Sequence, residues 1–248
     1  MQGANLERVS LTIITVCYNA AEELKRTMDS VASQTYRDFE YIIIDGASTD
    51  GTLELINARS PEVDQFISEP DTGIYNAMNK GLRLARGTYL CFMNAGDTFH
   101  APDTLMQLFS SLGNQKPDIL YGETNLVNSE GEFLKPRRLK APKRLNKRSF
   151  LTGMHVCHQS FYPKRELAPE YDEHYRFSSD YDWCLKILDK AEVTYNSGLI
   201  LTDYLSEGVT TRHRKASLIE RYKIMCRHFG WYRAILAHFY IVLRALVR

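Results

Sequence analysis

The 248-residue sequence contains no Cys-x-x-Cys pair: its five cysteines, Cys17, Cys91, Cys157, Cys184 and Cys226, are odd in number and far apart. That scatter excludes a zinc ribbon and argues against a disulfide framework, leaving buried free thiols in a reducing compartment. No Gly-x-Gly-x-x-Gly follows an apolar run, which removes the usual dinucleotide turn of a dehydrogenase. Nor does a Gly-rich, Lys- or Arg-containing loop follow the first such run, where Tyr18, Asn19, Ala20 and Ala21 stand instead. A nucleotidyltransferase is therefore disfavoured. Residues 1–8 carry no apolar signal region, so the expected location is cytoplasmic. Internal repeats and low-complexity linkers are also absent.

What is present is an ordinary globular composition, 44% hydrophobic and 25% charged, in a chain long enough to bury a substantial core. The formal charge of +1 conceals an uneven distribution. Residues 135–148 hold eight Lys and Arg and no acid, and from Arg212 onward the sole acid is Glu220. A basic loop and a basic tail suit anionic lipid heads or phosphorylated substrates, whereas no motif supports nucleic acid.

Residues 11–17, 39–44, 65–68 and 88–93 are apolar runs expected as strands. Helical patterns fall between them: Leu24, Met28 and Val31 in the first, Leu53, Leu55 and Ile56 after a cap at Thr49 or Asp50, then residues 74–84 with Gly87 helping to end the helix. Pro102 is expected at the start of another helix. Strand alternating with helix implies α/β architecture with a parallel sheet and right-handed crossovers. The rhythm then changes to short strands at 118–121 and 125–127, a turn at Ser129, Glu130 and Gly131, and a helix beginning near Asp180.

Polar segments follow each of the first four runs: Thr15 to Asn19, Asp45 to Gly51, Glu69 to Gly73, and Asn94 to Asp97. In an open parallel sheet such segments converge on one crevice, the usual place for a nucleotide. Asp50 reads as a helix cap, whereas Asp45 is suited to accept a hydrogen bond from a base edge. Asp97 is a candidate carboxylate for Mn2+ or Mg2+, which take oxygen ligands and commonly only one or two carboxylates. Asp180 and Asp182 lie two apart at a helix start and cannot face the same way, so one of them is the candidate general base.

Four segments, LTIITVCYN at 11–19, YIIIDGASTDGT at 41–52, EPDTGIYNAMNKG at 69–81 and FMNAGD at 92–97, together resemble an inverting family 2 glycosyltransferase of the GT-A fold. His158 with Gln159, and Ser179 to Tyr181, extend the resemblance to about residue 190. It is strongest to small bacterial enzymes of capsule, exopolysaccharide or O-antigen synthesis. The resemblance implies a Rossmann-like, mostly parallel sheet flanked by helices, in a domain over residues 1–212. Residues 9–115 would form the nucleotide-sugar half and 116–212 the acceptor half.

By the same resemblance, Thr15, Tyr18, Asn19, Asp45, Ser48, Asp71, Lys80 and Asn94 would meet the nucleotide-sugar. Asp97, with His213, would hold the divalent cation, His158 and Gln159 would touch the acceptor, and Asp180 would be the base. Two departures stand out. Many relatives carry Asp where this chain has Asn94 and Gly96, leaving Asp97 as the only acid of an Asp-x-Asp signature. The Gln-x-x-Arg-Trp signature of processive relatives is missing, which favours transfer of one sugar, UDP-linked, to a lipid-linked or oligosaccharide acceptor. The rival is a catalytically inactive nucleotide-sugar scaffold that partners another transferase.

The remaining segment, 213–248, interleaves aromatic and aliphatic residues with arginines. Its longest stretch free of Lys and Arg, residues 234–243, is shorter than the roughly 20 residues a spanning helix needs. An amphipathic helix lying on an anionic membrane at the inner face of the cell membrane is expected, with packing on a second subunit as the competing use.

Overall fold

A computed structural model describes residues 9–206 and 214–246. Four parallel strands, β1 (Leu11–Cys17), β2 (Phe39–Asp45), β3 (Gln65–Ser68) and β4 (Tyr89–Phe92), lie in the order β3-β2-β1-β4. They are joined by α1 (Ala21–Ala32), α2 (Thr52–Ala58) and α3 (Ile74–Leu84). Every residue of β1 is buried, because the sheet is covered on both faces. Alternate residues serve opposite sides: Ile14, Val16, Ile42 and Ile44 pack with Tyr75 and Met78 of α3, while Ile13, Tyr41 and Ile43 pack with Leu24, Met28 and Val31 of α1. Each fully buried aliphatic side chain contributes about 1.5–3 kcal/mol.

A second sheet contains β5 (Thr98–Phe99), β6 (Ile119–Val127), β7 (Phe133–Pro136), β8 (Phe161–Pro163) and β9 (Thr194–Leu205). Its order is β5-β9-β6-β7, with β8 also on β6, and a Tyr89–Lys164 bridge joins it to β4. Around these sheets lie α4 (Thr104–Leu112), α5 (Ser179–Leu188), α6 (Arg214–Phe229) and α7 (Trp231–Leu246). All five cysteines are free thiols.

Three local expectations change. The two short strands at 118–121 and 125–127 are one strand, β6, whose pairing with β9 shifts register around Glu123. A Cβ on the intervening Gly122 would lie 2.5 Å from the Leu199 carbonyl, so the glycine admits β9 and does not break the strand. Gly87 does not end α3, which stops at Leu84 with an extended Ala85. It lets the chain pass β1, where a Cβ would lie 2.5 Å from the Thr12 nitrogen. Pro102 precedes α4 by a short turn, and the N-cap is Asp103.

The last two helices join the same interior. Ile224 and Met225 of α6, and Ala234 and Ala237 of α7, belong to the core cluster that includes Trp183 and Leu185 of α5. Gly230, at φ 84°, makes the turn between them, a conformation that favours glycine.

Candidate active site

The C-terminal ends of β1 and β2 are tied by two residues with unusual backbones, Asn19 at φ 48° and Ala47 at φ 62°. Asn19 Oδ1 accepts from the Thr49 N–H at 2.9 Å, and the Asn19 N–H donates to Ser48 Oγ at 2.8 Å. Asp50, one residue ahead of the N-cap of α2, accepts from the Thr52 N–H at 3.1 Å and from the Ala21 N–H at the start of α1 at 3.2 Å. The two helix starts and the two strand ends are thus locked together, but the N-cap of α2 is Gly51, not the expected Thr49 or Asp50.

Asp45 differs from its sequence reading. Its carboxylate is fully buried and accepts from the Ser48 N–H at 3.1 Å, the Ser48 hydroxyl and the Ser68 hydroxyl at 2.6 Å. It knits β2 to β3 and is closed to a nucleobase. Thr15 is corrected likewise: its buried hydroxyl donates to the Met93 carbonyl at 2.7 Å, so it fixes the end of β4. The open positions are others. Tyr18 is 65% exposed, and a Cβ on Gly46 would lie 2.7 Å from Asp71 Oδ2 and 3.2 Å from Tyr18 Cδ2. Gly46 therefore lets the Tyr18 ring and the Asp71 carboxylate close in on the backbone after β2. Its only sequence signal was its position directly after the strand.

Asp71 is held by its own loop, accepting from the Gly73 N–H at 2.8 Å. Lys80 braces that loop from α3, pairing with Glu69 at 2.9 Å and donating to the Pro70 carbonyl at 2.9 Å. Lys80 is thus mostly covered, and it acts here on the segment that presents Asp71.

After β4, Asn94 leaves its side-chain oxygen buried without a hydrogen-bond partner among the described residues. Such an atom carries a desolvation cost unless a ligand meets it. Asp97 is buried too: Oδ2 accepts from Gln159 Nε2 at 2.9 Å and Oδ1 from the Leu205 N–H at 2.9 Å. Burial pushes its carboxyl up to about 7, outweighing these bonds and the nearby Arg26. Among the described residues no group of three His, Cys, Asp or Glu surrounds a metal position. The oxygen of Asn94 and the carboxylate of Asp97 are nevertheless the hard donors that Mg2+ or Mn2+ takes alongside phosphate oxygens. His213 lies outside the described residues.

The expected acceptor contacts are also reassigned. Gln159 supports Asp97, with its own carbonyl accepting from the Thr202 hydroxyl at 2.8 Å. His158 sits between Phe92 and Trp183, ring centroids 5.1 and 5.3 Å away, with Nε2 2.6 Å from the Tyr171 hydroxyl. Burial pushes it down to about 4, so it is a neutral, enclosed imidazole at pH 7. Neither side chain is open to an acceptor.

Asp180 occupies the first turn of α5. Its Oδ1 accepts from the Tyr181 N–H at 2.8 Å and from the Tyr75 hydroxyl at 3.3 Å. Its Oδ2 has no hydrogen-bond partner among the described residues, which leaves an acceptor for a proton. Tyr75, unnoticed in the sequence, links α3 and its Asp71 loop to this carboxylate. Asp182 turns away as the spacing requires: it is buried against Lys186 at 2.6 Å and His228 at 2.7 Å. Burial opposes its charge, but those two contacts hold it below the usual carboxylate range.

The family model described as "Glycosyl transferase family 2" matches residues 12–170. A curated relative, the "PGL/p-HBAD biosynthesis glycosyltransferase" of Mycobacterium bovis (strain BCG / Pasteur 1173P2), is 31% identical over 201 residues, covering 78% of this chain and 75% of the relative. Among solved structures, S. aureus TarS 1-349 in complex with UDP-GlcNAc is similar with a TM-score of 0.65 at 16% identity, over 80% of this chain and 59% of that one. The mannosyltransferase PcManGT from Pyrobaculum calidifontis in complex with GDP-Man and Mn2+ gives 0.67 at 19% identity, over 94% of this chain and 71% of that one. At such identities the structural likeness establishes the fold, which is GT-A.

Proposed function

Because the chain belongs to glycosyl transferase family 2, and so is a glycosyltransferase, we propose that it transfers one sugar, with inversion, from a nucleoside diphosphate donor to a hydroxyl of a lipid-linked glycan in surface polysaccharide synthesis. The donor nucleotide in this reading is UDP; the TarS structure holds UDP-GlcNAc, and the Pyrobaculum calidifontis mannosyltransferase holds GDP-Man with Mn2+. The observation that carries the proposal is Asp180, presented at the start of α5 with one carboxylate oxygen that no described residue hydrogen-bonds and the other tied through Tyr75 to the Asp71-bearing segment.

In this scheme Asp180 takes the proton of the acceptor hydroxyl as its oxygen bonds to the anomeric carbon and the carbon–phosphate oxygen bond breaks on the opposite face. Removing that proton contributes typically about 10²–10⁴ in rate. Asp97 and Asn94 would hold a divalent cation, which supplies neutralising charge for the departing diphosphate. Tyr18, Gly46 and Asp71 would receive the nucleoside.

The direct test is a panel of UDP-, GDP- and dTDP-sugars, each with Mn2+ and with chelator, read by melting temperature. A donor at 100 times its Kd adds about 2.7 kcal/mol of stability. Proton NMR of the product made from the donor that binds must then give the inverted anomer. No stabilisation by any donor would favour the inactive scaffold.

For Gly46→Ala we expect nucleotide affinity to weaken by about tenfold, near 1.4 kcal/mol, because the new Cβ displaces Asp71 or Tyr18. Unchanged affinity by calorimetric titration would move the nucleoside away from Tyr18, Gly46 and Asp71.

The lipid-linked acceptor draws support from α7. Its inner face is Ala234 and Ala237, while Trp231, Tyr232, Leu236 and Phe239 are exposed beside Arg233. No helix among the described residues is long and apolar enough to cross a membrane. Aromatics with arginine suit the headgroup layer of an anionic bilayer. The double variant Trp231→Glu with Phe239→Glu should leave the core intact and stop co-sedimentation with phosphatidylglycerol vesicles. Undiminished sedimentation would eliminate membrane docking through this face.

A further inference from the structure

Glu220, the sole acid in residues 212–248, has a specific job. From α6 its two carboxylate oxygens accept from consecutive backbone N–H groups, Arg176 to Oε1 at 2.9 Å and Phe177 to Oε2 at 2.8 Å. Those groups lie in the loop that enters α5 just ahead of Asp180. A charged fork on two amides is among the stronger and more directional of protein hydrogen-bond arrangements.

The start of α5 depends on such outside support. Its N-cap residue, Ser178, makes no side-chain cap bond. Its hydroxyl lies 3.1 Å from the Ser217 hydroxyl of α6 and donates to the Ser217 carbonyl at 3.2 Å. Beyond Asp180, Asp182 is held by His228, again from α6. The turn that carries Asp180 is thus gripped from one helix on both sides, while within the main domain Asp180 itself has the Tyr75 hydroxyl.

We propose that Glu220 is a positioning residue for Asp180: by fixing the 176–177 amides it sets the direction in which the Asp180 carboxylate meets the acceptor hydroxyl. This rests on Asp180 being the base. Docking of α6 does not depend on Glu220, since Ile224 and Met225 are fully buried and His228 retains Asp182. Removing Glu220 therefore loosens the loop and leaves the helix in place.

The test compares the full-length protein with Glu220→Ala, Glu220→Gln, Asp180→Asn and the Glu220→Ala/Asp180→Asn pair. Misplacing a catalytic group by about 1 Å can cost about 10²-fold. In Glu220→Ala, kcat should fall about 10- to 100-fold, with donor KM unchanged and nucleotide still binding one to one. Glu220→Gln, which keeps the volume but offers one acceptor, should fall between. In the double variant, loss of Glu220 should add nothing to loss of Asp180, the signature of residues acting through one group. Wild-type kcat in both Glu220 variants, binding stoichiometry falling in step with kcat, or losses that multiply in the double variant would each overturn the proposal. An inactive Asp180→Asn beside a fully active Glu220→Ala would remove this inference alone. Full transfer by Asp180→Asn would remove the base assignment beneath it.

Discussion

Glycosyl transfer is expected to fall by about 10²–10⁴ in Asp180→Asn while donor affinity stays within about twofold of wild type. Asparagine has the shape of aspartate, and its Oδ1 still accepts from Tyr75 and from the Tyr181 N–H. What disappears is the ability to take a proton. Donor affinity should persist because the asparagine keeps the Tyr75 bond that ties this position to the Asp71-bearing segment, while Tyr18 and Gly46 follow the ends of β1 and β2. Parallel measurements of donor Kd and single-turnover transfer decide the matter. Equal loss of both would mean that Asp180 serves donor binding. Retained transfer would require another base, and Asp182 is a poor substitute because it is buried between Lys186 and His228.

The sequence made the crevice legible because strands covered on both faces read as unbroken apolar runs, and the residues after each run are polar. β1 and β3 fall where those runs lie, and the opposed directions of Asp180 and Asp182 follow from helical spacing alone. The failures share one cause. Asp45 is closed by Ser68 and Thr15 by Met93, partners supplied by neighbouring strands. Gln159 is turned to Asp97 from the short helical turn before β8, and His158 is enclosed by Phe92 and Trp183. A residue's position at the crevice edge can be read locally. Whether its lone pairs are already used depends on contacts tens of residues away. Tyr75 escaped notice, and Glu220 stood out only as a lone acid, for the same reason: each matters through a bond to a distant segment that no local pattern announces.

Asp97 should give the protein a stability that falls as pH rises, and the loss should be recovered by a divalent cation. In an unfolded chain its carboxyl has the ordinary value of 3.8, but in the folded chain burial pushes it up to about 7. Between these values the folded state keeps a proton that the unfolded state has released, so stability is fully present at low pH and is lost as pH climbs through the folded value. At about 1.36 kcal/mol per unit, the difference amounts to about 4 kcal/mol. With chelator present, unfolding by urea from about pH 5 to about pH 8 should show a little over half of this decline on top of other titrations, and Asp97→Asn should remove most of that part. Mn2+ favours the ionised carboxylate and should therefore stabilise the wild type more at pH 8 than at pH 6, releasing a proton when it binds. The Asn variant should lose that pH-dependent stabilisation. Matching slopes for the two proteins in chelator would mean that Asp97 ionises in the folded chain without cost. A matching Mn2+ response would mean that the cation sits elsewhere. Opposite results would fit one design: a carboxylate too buried to remain charged comfortably until cation and diphosphate arrive together.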